Sequence, residues 1–94
     1  MVITAKEARE LAGPTDVELA EKALETAFRE IRSAAAERKQ RSIYFRNDFW
    51  ARGGYDDAKS YKIAVERLEE LGFDVNFFYD EFGTGVDMGV VISW

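Results

Sequence analysis

Apolar residues recur every three or four positions through the first third of the chain and alternate with polar ones near its end. The first spacing marks amphipathic helices and the second marks half-buried strands. Residues 4–12 read as a short helix that Thr4 and Glu7 can cap reciprocally and that Gly13 and Pro14 stop. A helix so short does not persist alone in water, so it is expected to dock through Ala5, Ala8, Leu11 and Ala12. Thr15 and Glu18 repeat the capping pattern and open the longest element, expected from Asp16 to about Lys39. Its stripe is Ala20, Leu24, Ala27, Phe28, Ile31, Ala34 and Ala35. The small residues from Ser33 to Ala36 permit close packing on a sheet, or a helix–helix contact between subunits.

A first strand is expected over residues 42–46, with Ile43 and Phe45 on one face and Ser42 and Tyr44 on the other. Residues 47–55, with Phe49 and Trp50 beside Gly53 and Gly54, read as a loop. Asp56 or Asp57 then caps a third helix whose apolar face is Tyr61, Ala64, Val65, Leu68 and Leu71, ended by Gly72. Phe73, Val75, Phe77 and Tyr79 alternate as a second strand, and Met88, Val90, Ile92 and Trp94 as a third. Residues 80–86, with Gly83 and Gly85, join them as a hairpin.

The expected element order is therefore ααβαββ. A right-handed crossover sets the first two strands parallel. Val90, Val91 and Ile92 make the third strand apolar on both faces, which favours a central position. The expected fold is α+β: one two-layer domain over residues 1–94, with a three-stranded antiparallel sheet of order 1-3-2 and helices on one face. Tyr44, Phe78 and Val91 then lie on the face away from the helices. An apolar face of that kind marks an interface unless the long helix or a loop folds over it.

Composition narrows the chemistry. The 94 residues include no cysteine and no histidine. Thiolate nucleophiles, disulfides, Cys-ligated metals and the commonest general base are thereby excluded. No enzyme activity, cofactor or metal site is expected. No apolar run reaches the ~20 residues that cross a bilayer, so no membrane partner is expected and the cytoplasm is the expected compartment. The net charge of −5 is uneven: residues 29–52 hold seven basic against three acidic residues, a balance of +4, leaving −9 elsewhere.

Four groups invite a chemical reading. In Arg46, Trp50, Arg52, Gly53 and Gly54, a Gly-rich turn before a helix can offer N–H groups to an anion while Trp50 stacks on a base. Asp56 and Asp57 oppose that anion, and the Lys–Ser or Lys–Thr pair of a phosphate loop is absent. Arg38, Lys39 and Arg41 are too few, in an acidic chain, to predict nucleic acid binding. Asp80, Glu81 and Asp87 lack the spacing of a calcium loop. The carboxylate pairs Asp56–Asp57 and Glu69–Glu70 are sequence neighbours that do not face each other, so they are not a catalytic pair.

The start Ile3-Thr4-Ala5-Lys6-Glu7-Ala8-Arg9, the run Ala34 to Ala36, the step Leu71-Gly72-Phe73 and the finish Val91-Ile92-Ser93-Trp94 resemble those of many small tailed-bacteriophage proteins. These short motifs are scattered over most of the chain; residues 47–55 and Phe77-Phe78 stand outside them. The resemblance implies a viral accessory or virion component in the host cytoplasm or the particle, and brings no catalytic residues with it. The expected role is therefore non-catalytic. The chain would work by protein–protein contact, with itself as a homo-oligomer or with other phage or host proteins. The alternative is a small binder that inhibits a host defence protein, or sequesters a nucleotide signal at Arg46, Trp50, Arg52, Gly53 and Gly54.

Overall fold

Thr15 and Glu18 start the longest helix as the capping pattern demands. The Glu18 N–H donates to Thr15 Oγ1 at 3.2 Å, and the Thr15 hydroxyl donates to the Glu18 carboxylate at 3.2 Å. This computed structural model, which describes residues 2–94, contains α1 (Ala5–Ala12), α2 (Asp16–Ala36), β1 (Ser42–Phe45), α3 (Asp48–Tyr55), α4 (Lys59–Glu70), β2 (Asp74–Phe82) and β3 (Gly85–Ser93). The class is α+β, and the sheet is antiparallel throughout with order β1-β3-β2.

The predicted stripe of α2 is the one it buries: Ala20, Leu24, Ala27, Ile31 and Ala34 are in the core, with Phe28 half-buried. The helix ends at Ala36, short of Lys39. Lys39 has a positive φ of 54°, and the Gln40 N–H reaches back to the Ala34 carbonyl, turning the chain toward β1. The resulting 21-residue helix is about 32 Å long. Its face packs on α4 and β1. Leu68, Val90, Ile92 and Trp50 complete the core as its largest fully buried side chains.

The register is unbroken. Tyr44 faces Val91, Phe45 faces Val90, Phe77 faces Val90 and Phe78 faces Gly89. Because side chains alternate, Ile43, Phe45, Val75, Phe77, Val90 and Ile92 point to the helices, while Tyr44, Phe78 and Val91 point away. Gly89 is required by the crossing of β1: a Cβ there would collide with the Phe45 carbonyl oxygen. The β2–β3 turn is tighter than the loop expected at residues 80–86, since pairing continues to Phe82↔Gly85 and leaves only Gly83 and Thr84 unpaired.

Three further expectations are corrected. Residues 47–55 are not a loop. Asn47 caps α3 by accepting from the Trp50 N–H at 3.4 Å, and the order becomes ααβααββ. The two glycines that signalled a loop lower helix propensity but serve packing, which prevails here. Asp56 and Asp57 do not cap the next helix: Asp56 is the C-cap of α3, and α4 follows Ala58 with no side-chain cap. Finally, α1 forms with its Thr4 cap but buries no residue, and Leu11 is 80% exposed. Three alanines and one leucine offer little area to bury, and the helix is capped without docking. The radius of gyration is 16.1 Å, against about 12 Å for a compact chain of this length. The undocked α1 and the hairpin tip, exposed from residue 80 to 86, extend the molecule.

Candidate protein-interaction face

The open face of the sheet is built by alternation. Ser42, Tyr44 and the following Arg46 on β1, Asp87, Gly89 and Val91 on β3, and Asn76, Phe78, Asp80 and Phe82 on β2 share it. The helices that contact the sheet bury Ile43, Phe45, Val75, Val90 and Ile92 on its other side, while Phe77, Tyr79 and Val86 toward the hairpin end of that side are exposed. Tyr44 is 58% exposed, Phe82 60% exposed, and Phe78 and Val91 are half-buried only by their neighbours on the sheet. The three residues expected at an interface are thus together and uncovered.

Gly89 organises this face as well as the crossing of β1. With no side chain between them, Tyr44 and Phe78 meet across β3 at 6.0 Å between ring centroids, edge to face at 72°. The Arg46 guanidinium lies 5.3 Å from the Tyr44 centroid and 5.4 Å from that of Phe78. Its Nε donates to Asp87 Oδ1 at 2.9 Å. Asp87 stands directly opposite Asp80, so Arg46 also relieves a like-charge cross-strand pair. The result is an aromatic centre topped by one cation and bordered by Asp74, Asp80 and Asp87. Arg46 and Phe82 were missed as members of this face. The signal was present in the alternation, which puts Arg46 two residues after Tyr44 and Phe82 four after Phe78.

The residues grouped as a ligand loop are dispersed. Arg46 belongs to the open face, and Arg52 is exposed on α3. Trp50 is 1% exposed and packs against Phe45, Phe49 and Tyr61 with centroids at 5.6, 4.9 and 6.2 Å. It presents no platform to a base. Gly53 is buried, with room for only a tight 3.1 Å contact between an added Cβ and Tyr61, and a Cβ on Gly54 would strike the Phe77 ring. These glycines let α3 approach α4 and β2; they do not cradle an anion.

The remaining charged groups are engaged or dispersed. Arg38, Lys39 and Arg41 are exposed, and Arg38 and Arg41 line a shallow groove of about 450 Å³ with Glu30 beside β1. Tyr79 donates to Glu81 at 2.7 Å, and this bond to the carboxylate raises the Tyr79 pKa above its usual value. Burial, followed by repulsion from Asp57 and Glu69, raises that of Tyr61. Among the described residues, no group of three or more His, Cys, Asp or Glu is placed to hold a metal ion, and no helix is long and apolar enough to cross a membrane.

No protein-family model matches the chain, and neither a curated protein nor a solved structure matches it significantly.

Proposed function

We propose that this protein is a non-catalytic accessory protein that works by protein–protein contact through its open sheet face, first of all with copies of itself. The observation that carries the reading is that Tyr44, Phe78, Val91 and Phe82 share the open face of a sheet whose other face packs Ile43, Phe45, Val75, Val90 and Ile92 into the core. Apolar surface presented on one side of a small domain, with acidic residues around it, has the make-up of an interface. The chemistry of the chain supports the same reading, since it has neither cysteine nor histidine and its candidate ligand residues do not converge. The resemblance of its short motifs to tailed-phage accessory proteins supplies the proposed context, a virion or assembly component.

The test is a paired substitution. Phe78→Ser with Val91→Ser should lower the assembled mass while leaving the helical signal in circular dichroism intact. Arg52→Ala should change neither. An assembled mass that the first pair leaves unchanged, or that Arg52→Ala lowers, would remove the open face from the account.

A further inference from the structure

β2 is an edge strand whose three charges, Asp74, Asp80 and Glu81, flank an uncharged centre from Val75 to Tyr79. It runs for nine residues, and its register with β3 is continuous from Asp74↔Ser93 to Phe82↔Gly85, so no bulge twists it away. It contains no proline and no lysine, and four of its residues are aromatic: Phe77, Phe78, Tyr79 and Phe82. Edges of folded sheets are ordinarily short, charged, bulged or covered, because a row of unpaired N–H and C=O groups is a template for another strand. The opposite edge obeys that rule: β1 has four residues and lies between Arg41 and Arg46.

The sequence of β2 also matches itself. In a two-fold pairing about an axis normal to the sheet, opposed residues keep the same face, so the axis must pass through a residue. Centred on Phe78, the whole strand pairs. Phe78 then meets itself, Phe77 meets Tyr79, Asn76 meets Asp80, Val75 meets Glu81 and Asp74 meets Phe82. No like charges are opposed, and aromatic residues face each other at the centre of the seam, the favourable cross-strand arrangement. Other centres are worse. Phe77 would set Asp74 against Asp80, Asp80 would meet itself, and Tyr79 would shorten the seam and set Phe78 against Asp80.

We infer that a second copy of this chain pairs antiparallel with the free edge of β2, centred on Phe78. Two three-stranded sheets become one continuous sheet, and their open faces lie side by side on one surface, with Asn76 and Asp80 flanking the two Phe78 rings along the seam. The inference rests on the reading that the protein assembles with itself, and places that contact along the β2 edge bordering the open face rather than face to face.

The chain has no cysteine, so introduced thiols report one position each. Asn76 and Asp80 are exposed, so substitution there leaves the core untouched. Residues opposed in an antiparallel pair have Cα atoms about 4.5–5.5 Å apart, within the range that a disulfide spans. A mixture of Asn76→Cys and Asp80→Cys proteins should cross-link under mild oxidation, while neither should do so alone. In light scattering, Asn76→Lys should tighten the dimer several-fold and Asn76→Asp should weaken it about five-fold, through two symmetric pairs with Asp80. A self-cross-link of Val91→Cys in place of this pattern would overturn the seam and leave association through the open face standing. A wild-type protein that stays at the mass of one chain would overturn both.

Discussion

Replacing Trp50 by alanine distinguishes a core residue from a ligand platform, and the structure sets the size of the effect. The indole is 1% exposed and touches three aromatic rings. A buried tryptophan removes roughly 200–250 Å² from water, about 5–6 kcal/mol at 25 cal/mol per Å². The compactness of the unfolded chain lowers this by roughly 10–40%. The alanine side chain retains part of the rest, and the cavity left behind adds to the loss. Trp50→Ala should therefore cost about 3–5 kcal/mol, the usual range for this truncation. A chain of this length has a total stability of about 5–14 kcal/mol, so much of it would vanish. Arg52→Ala, on the exposed side of the same helix, should stay within about 0.5 kcal/mol. Urea denaturation followed by circular dichroism measures both, and the Trp50→Ala melting temperature should fall by more than about 12 °C. A loss below about 1 kcal/mol for Trp50→Ala would show that the indole is not in the core, and would reopen the ligand reading.

Three further outcomes follow from the same contacts. Gly89→Ala should cost about 1–3 kcal/mol by overpacking, because its Cβ meets the Phe45 carbonyl, which is backbone and cannot swing aside; exchange of the β1 amides should quicken in step, and unchanged protection would contradict the crossing. Removing residues 2–13 should change stability by less than about 0.5 kcal/mol, since α1 buries nothing; a larger loss in urea titration would mean that α1 docks after all. The raised pKa of Tyr61 means that the folded state holds its proton more tightly than the unfolded state. That contribution is complete below the ordinary tyrosine value near 10 and is lost as pH rises through the higher folded value. Stability should fall on the alkaline side, and Tyr61→Phe should flatten that slope; an unchanged slope would assign it elsewhere.

The sheet order and the core stripe of α2 were legible because both follow from periodicity. Val90, Val91 and Ile92 in a row marked the central strand, and the alternation around Ile43 and Val75 decided which face met the helices. Helix α3 was hidden because Gly53 and Gly54 carry a local signal for a turn, and their packing against Tyr61 and Phe77 is long-range information. Asn47, two residues before a large apolar pair, was the cap that could have revealed it. The undocked α1 shows the reverse failure: its apolar spacing was correct, but a stripe of alanines does not ensure burial. For the candidate site, alternation placed Tyr44, Phe78 and Val91 together. It took the register to show that Gly89 lets two rings meet under Arg46.

The solution mass, measured by light scattering across a concentration series, tests the central claim that this chain acts by assembling with itself. One chain is 10.7 kDa. The account predicts a mass that rises to a multiple of that value and falls back when Phe78, common to the open face and the β2 seam, is replaced by serine. A mass of one chain at every concentration would contradict it.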